Sequence, residues 1–209
     1  STWEVPYGAV ERSNDGLERP AAAWVDVGDN RRGAALLNQT RHGYDVQKDG
    51  TLRLSLLRSP VSPARSDDGG NHLVAYALLP HLGSWQEGAV HRRAQEYNAP
   101  PIAMPVPPHG GALPPQASFF RVTPASVALT AVKRAEAGDG LALRLVETEG
   151  RAVSAELFSH WFLRGAFETN LLERNEQPLT TEGDLLKLEF RPFEIKTVVL
   201  RGWGYAPLR

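Results

Sequence analysis

Short apolar or alternating runs dominate this chain, and few stretches carry a helical period. Ala34 to Asn38, Leu52 to Arg58, His72 to Leu79, Ala128 to Lys133, Leu141 to Glu147, Val153 to Phe158, Leu185 to Phe190 and Phe193 to Leu200 are each of strand length. Gly, Asp, Asn and Pro punctuate the gaps, which is the pattern of an all-β sandwich. Asp49-Gly50, Asp139-Gly140 and Gly183-Asp184 stand where tight turns are needed. In the second half Leu141, Leu143 and Leu145 share one face, Val153, Ala155 and Leu157 another, and Glu194 and Lys196 look outward between Phe193, Ile195 and Thr197. That alternation predicts a sandwich with one wet side per sheet. Leu73 to Leu79 is instead apolar on both parities, so that strand is expected to be covered on both faces and the first half to belong to a larger β structure.

One helix is expected. Ser84-Trp85-Gln86-Glu87 has the S-x-x-E form of a capping box, and Trp85, Ala89, Ala94 and Tyr97 recur at roughly helical spacing until Pro100-Pro101. It should lie flat on the sheet. Ala99 to Gln116 then holds seven prolines and Gly110-Gly111, a composition that forms neither a helix nor a sheet ladder. The expected organisation is therefore all-β. A partial large β-sandwich, supersandwich-like and carrying one surface helix, spans 1–100; a Pro-rich linker spans 101–117; a smaller β-sandwich spans 118–209.

Composition narrows the function classes. The chain has 209 residues, enough for one large β domain or two small ones. Its 23 Lys+Arg against 24 Asp+Glu leave a formal charge of −1, which gives no field to attract nucleic acid or an anionic membrane. The absence of Cys removes disulfides, thiolate chemistry and Cys-type zinc sites together. It fits a reducing compartment, and a soluble, cytoplasmic protein is expected. The longest apolar run, Leu73 to Leu79, is too short to cross a bilayer. Glu4 and Pro6 stand where a signal peptide needs an apolar stretch. The chain opens on Ser1-Thr2, and a piece of a longer polypeptide is expected.

Catalytic motifs are missing from the sequence. There is no H-E-x-x-H, no H-x-D, no G-x-S-x-G elbow, no P-loop and no dinucleotide fingerprint, and the six histidines are scattered. Asp67-Asp68 is the one adjacent acidic pair of interest, but neighbouring side chains of an extended backbone point to opposite faces. In Ser66-Asp67-Asp68-Gly69-Gly70 a turn held by local Asp-to-amide bonds is the plainer reading. Period two carries Arg58 onto the apolar face of Leu52, Leu54 and Leu56. An arginine there pairs with a carboxylate such as Asp67 or Asp68, emerges at the sheet rim, or lines a cleft, where its planar fork suits sugar hydroxyls. Trp3, Trp24, Trp85, Trp161 and Trp203 offer flat faces to a pyranose, though Trp85 and Trp161 fall where core packing is favoured. Asn38-Gln39-Thr40 is formally a glycosylation sequon.

Several ordered segments resemble one family. Asp29 to Asn38 and Arg41-His42-Gly43-Tyr44-Asp45-Val46 resemble an A-L-L-N-D-x-K-Y-G-Y-D segment, and Leu52 to Pro60 resembles L-R-L-S-L-L-R-S-P, of the C-terminal β region of glycoside hydrolase family 38, the α-mannosidases. Tyr76 to His81, Trp85 to Asn98, Val5 to Gly8 and Trp24 to Val27 extend the likeness over most of 3–100. Phe167 to Glu173 and Pro192 to Thr197 are similar more loosely. His42 stands where the family's branch has Tyr, and Gln39 where it has Asp. The resemblance implies an exo-acting retaining α-mannosidase whose zinc ion and Asp nucleophile lie in an N-terminal barrel and helical segment outside this chain. It implies no catalytic or metal residue and no cofactor here. The implied partners are that barrel and helical segment and an α-mannoside substrate, with homo-oligomers left open. Arg58, Asn38, Tyr44, Asp45, Asp67 and Asp68 are the implied substrate-facing residues. An autonomous carbohydrate-binding module is the alternative and needs an exposed aromatic platform; a purely structural β domain is a third class.

Overall fold

Residues 1–62, 68–111, 113–138 and 140–205 are described by the computed structural model, which separates into two units, Ser1–Met104 and Pro105–Arg209. The first unit holds β1 (Thr2–Val5), β2 (Gly8–Glu11), β3 (Arg19–Pro20), β4 (Trp24–Gly28), β5 (Arg32–Asn38), β6 (Gly43–Val46), β7 (Leu52–Leu54), β8 (Tyr76–Leu82) and α1 (Val90–Asn98). Antiparallel pairing gives a five-stranded sheet in the order β2-β1-β4-β5-β8 and a three-stranded sheet β3-β6-β7. The middle of the large sheet is covered on both sides. Trp24, Ala35 and Leu37 pack against Val90 and Ala94 of α1, while Trp3 and Val25 pack against Tyr44 and Val46 of the smaller sheet. Consecutive residues such as Trp24 and Val25 point to opposite faces, so both parities of β4 must be apolar.

The capping box forms but does not begin the helix. Ser84 N donates to Glu87 Oε2 at 2.8 Å and Glu87 N to Ser84 Oγ at 3.3 Å. These bonds close a separate turn that sets Trp85 against Trp24, with ring centroids 5.1 Å apart. Ala89, at φ 51°, divides that turn from α1. The helix then lies on β4 and β5 as expected.

Two strand expectations need correction. The strand expected over Leu52 to Arg58 stops at Leu54, because β6 offers its last ladder partner at Tyr44 and Ser55 N makes one further bond to Gly43 O. The period-two argument for Arg58 therefore ends at Leu54. The strand expected over His72 to Leu79 is β8, Tyr76–Leu82, and it is not covered on both faces. Ala77 and Leu79 pack toward α1, whereas Tyr76, Leu78 and Leu82 are exposed, Leu78 by 65 %. The small sheet reaches Leu36 of β5, and no described element lies over β8 on that side.

The second unit holds β9 (Phe120–Thr123), β10 (Val127–Arg134), β11 (Leu141–Glu147), β12 (Val153–Ser159), β13 (Trp161–Thr169), β14 (Gln177–Leu179), β15 (Thr181–Glu182), β16 (Leu185–Phe190) and β17 (Ile195–Tyr205). A five-stranded sheet β10-β11-β17-β13-β14 faces a four-stranded sheet β15-β16-β12-β9. Leu143, Leu145, Ala155, Leu157, Leu186, Leu188, Val198 and Leu200 fill the space between them. The alternating residues thus build an all-β sandwich. The Asp49-Gly50 and Gly183-Asp184 turns join β6 to β7 and β15 to β16; Asp139 lies outside the described residues.

The expectation of one wet side per sheet fails at β11 and β17. Ala142 and Val199 on the outer side are buried with Ala135. Residues 170–176 fold over that side: Arg144 Nη2 donates to Leu171 O at 3.0 Å, Lys133 pairs with Glu173 at 2.7 Å, and Arg201 Nη1 meets Glu176 at 3.0 Å. Phe193, expected in the last strand, stands outside it at φ 56°. Its N–H donates to Glu147, a fully buried carboxylate that also accepts the amides of Glu149, Gly150 and Arg151, all within 2.8–3.2 Å. Among the described residues no helix is long and apolar enough to cross a membrane.

Candidate functional site

A polar concavity of the first unit opens where four chain segments converge beyond the end of β5. Glu18, Arg19 and Pro20, then Arg41, His42 and Gly43, then Ser55 to Arg58, and finally Asp68 and His72 line a cleft of ≈ 550 Å³. A larger concavity of ≈ 820 Å³ at the opposite end of β5 is bordered by Val27, Pro80, His81 and Leu82. Its imidazole is already committed, since His81 Nε2 sits 2.8 Å from Asp26 Oδ1 with both side chains nearly buried.

The segment after β5 is held from behind. Asn38 is fully buried; its Oδ1 accepts the Arg41 amide at 2.8 Å, and its Nδ2 donates to Tyr44 Oη and, at 3.4 Å, to Ala22 O. Burial pushes the Tyr44 phenol up to about 12, against the opposing hydrogen bond from Asn38. The helix end adds two ties: Asn98 Nδ2 donates to Asn38 O at 3.0 Å and Gln39 Nε2 to Tyr97 O at 3.0 Å. Residues 39–42 are thereby fixed by the core below them, which aims Arg41 and His42 at the cleft.

Of the six residues singled out from sequence, the structure brings two into the cleft. Arg58 is one, its side chain 81 % exposed and 3.9 Å from Glu18. Asp68 is the other, with its carbonyl 2.8 Å from His72 Nε2. Asn38 and Tyr44 lie behind the cleft and bind each other. Asp45 is held by Arg53 Nε at 2.8 and 3.0 Å and by Gln47 at 2.6 Å, and does not line it. Asp67 lies outside the described residues. The carboxylate that faces Arg58 is Glu18, which the sequence did not mark, and which Ser55 Oγ steadies. The sequon Asn38 is buried and used internally.

Arg41, His42, Glu18 and His72 were missed for a physical reason. They come from three separate irregular segments, so no periodicity links them; the one usable signal was the adjacent Arg41-His42 pair in a loop. His42 Nδ1 is 2.8 Å from Ala22 O, which orients its ring. Arg41 Nε is buried without a hydrogen-bond partner among the described residues. Arg19 is held by Asp15 at 2.6 Å, and that guanidinium keeps the Asp15 carboxyl well below the usual carboxylate range. The lining therefore mixes guanidinium donors, carboxylate acceptors and imidazoles with Leu56 and Leu57. Such a surface suits a polyhydroxyl ligand, whose groups both donate and accept. The zinc ion implied by the resemblance finds no ligand set here: among the described residues no group of three or more His, Asp or Glu side chains could hold a metal.

Comparison with known proteins gives a consistent picture. Residues 1–66 match the glycosyl hydrolases family 38 C-terminal domain, and residues 126–198 match the glycosyl hydrolases family 38 C-terminal beta sandwich domain. The chain is 34 % identical over 96 % of its length to Alpha-mannosidase 2C1 of Homo sapiens and 27 % identical over 94 % to Alpha-mannosidase G of Dictyostelium discoideum. It spans about one fifth of those relatives, 20 % and 19 % of their lengths. The crystal structure of an alpha-mannosidase from Enterococcus faecalis is similar with a TM-score of 0.74 at 25 % identity, over 95 % of this chain and 24 % of that one. Two matched domains, in order, one on each of the two units described above, mean that this chain belongs to glycoside hydrolase family 38, as a C-terminal region.

Proposed function

We propose that this chain is the non-catalytic C-terminal region of a retaining exo-α-mannosidase that hydrolyses terminal α-mannosides, and that it packs on the catalytic part of the same polypeptide and completes its sugar pocket. The observation that carries the reading is the likeness to α-mannosidases over nearly the whole chain, combined with a coverage of only one fifth of their length. In this reading the nucleophile and the zinc site belong to the remaining four fifths. The cleft supplies binding groups: Arg58 as an exposed charged donor, with Glu18 and Asp68 as acceptors. The bare side of β8, with Tyr76, Leu78 and Leu82 exposed, is the surface proposed to pack on the rest of the polypeptide, since a contiguous apolar patch marks an interface.

The test is made in the full-length polypeptide. Arg58→Ala is expected to lower kcat/KM on an aryl α-mannoside by about 5- to 150-fold, the ~1–3 kcal/mol of a lost hydrogen bond to a charged group. Unchanged kinetics with a lower melting temperature would assign Arg58 a structural role instead. The 209-residue chain alone is expected to be inactive; zinc-dependent turnover by it would overturn the whole reading.

A further inference from the structure

The outer face of the four-stranded sheet in the second unit carries a row of rings that the cleft does not explain. Phe120 and Val122 of β9 and Ala155 and Leu157 of β12 pack on the core. Alternation therefore turns Arg121 and Phe158 outward, and Phe119 and His160 stand just before β9 and just after β12 at the same edge. The register sets them side by side, with Arg121 opposite Phe158, and the His160 amide donating to Phe119 O at 2.9 Å.

Two ring-and-cation arrangements result. Phe119 stacks on Trp161 with centroids 5.2 Å apart and planes 8° apart, and His160 meets both rings edge-on at 5.8 and 5.9 Å. Phe120, itself anchored in the core, abuts Trp161 at 5.7 Å and holds it in place. The Arg121 guanidinium lies 4.8 Å over the Phe158 ring. Phe119 nonetheless remains 45 % exposed. A solvent-facing aromatic ring held this firmly loses little conformational entropy when something binds to it.

We propose that this face is a second saccharide-binding surface, on which a pyranose ring stacks through its C–H face against Phe119 while its hydroxyls reach Arg121 and His160. Residues two apart in the chain are at most about 7 Å apart, so a sugar seated on Phe119 is within reach of Arg121. Polar chemistry favours a sugar over an apolar protein partner: guanidinium and imidazole alternate with the rings, and beside half-buried Leu185, which stands opposite Phe158, the outward Glu156 and Lys187 border them. The surface rests on the function proposed above only for the identity of the sugar, an α-mannose oligosaccharide. It would hold the glycan by a part other than the bond being cleaved.

The experiment titrates the 209-residue chain with α-mannotriose and, separately, maltotriose, read by calorimetry and by amide chemical shifts. Millimolar binding of mannotriose is expected, about tenfold weaker in Phe119→Ala, as loss of a ring-sized apolar contact implies. Arg121→Ala, also on the surface, is expected to weaken it severalfold. Both surface variants should melt at the wild-type temperature. No binding of either sugar up to about 50 mM, well above the weakest useful affinity, overturns the proposal. So does binding lost in Arg58→Ala but kept in Phe119→Ala, or a dimer that Phe119→Ala dissociates. Equal binding of maltotriose, still dependent on Phe119, supports the surface and refutes the mannose assignment inherited from the proposed function.

Discussion

Asn38 provides the sharpest test of how the cleft is held, because one amide serves three partners in a fully buried position. Asn38→Asp preserves shape, and the acceptor for the Arg41 amide survives. The Nδ2 donor is replaced by an oxygen, which then faces Ala22 O, and a carboxylate is placed where water is excluded. Burial raises such a carboxyl by roughly 2–3 units above about 3.9, and each unit is worth about 1.4 kcal/mol. The native state then binds the proton more tightly than the unfolded state, so stability falls as pH rises from the unfolded to the folded value. A loss of about 3–4 kcal/mol at pH 7 should shrink to about 1 kcal/mol near pH 3.5, where the protonated carboxyl again offers a donor. Asn38→Ala is expected to lose about 2–4 kcal/mol with little pH dependence. Urea unfolding read by tryptophan emission, with Trp161 and Trp203 replaced by Phe, reports the first unit alone through Trp3, Trp24 and Trp85. An Asn38→Asp chain within about 0.5 kcal/mol of the parent at pH 7, or a deficit that ignores pH, would refute the reasoning.

Other consequences follow from single groups. Glu147→Gln leaves the Glu149 or Phe193 side of its amide nest facing a donor, and should destabilise the second unit by about 2 kcal/mol while sparing the first; equal unfolding midpoints would count against the nest. The Lys133 ammonium and the Glu136 amide hold the Glu173 carboxyl below its ordinary value, so its contribution is present above about pH 4.3 and is lost as pH falls through the folded value. Glu173→Gln should therefore lower stability at pH 7 and flatten the acid side of the profile; an unchanged acid limb would remove that pair from the account. Gly33→Ala sets a Cβ 2.6 Å from the His81 ring and should cost about 1–3 kcal/mol, with calorimetric melting as the check; a tolerated alanine would mean the Asp26–His81 seat yields freely.

Much of the second unit was legible in the sequence. β12 and β16 bury alternate residues, and a half-buried strand writes that alternation into its side chains. The helix was legible in existence but not in its start, because a capping box closes any turn with the right spacing and only Ala89 shows that turn and helix are separate. β8 misled for the opposite reason: apolar side chains on both parities state what the chain could bury, not what this unit covers. The cleft was least legible. Arg58 drew notice by parity with Leu52 and Leu54, yet the ladder ends at Leu54 and the side chain reaches the cleft from irregular backbone.

The sequence by itself determined that the chain folds as layered β-sheets with one helix, because strand periodicity and turn chemistry are local properties of neighbouring residues. It also carried the family likeness, through ordered motifs. Tertiary structure alone decided which polar residues face solvent and which face each other. Asn38 and Tyr44 look like ligand-binding types until burial shows them spent on one another, while Glu18 and Arg58 meet across forty residues of chain. Hydrogen-bond partnership at a site is a matter of distance in space, and no one-dimensional pattern records it.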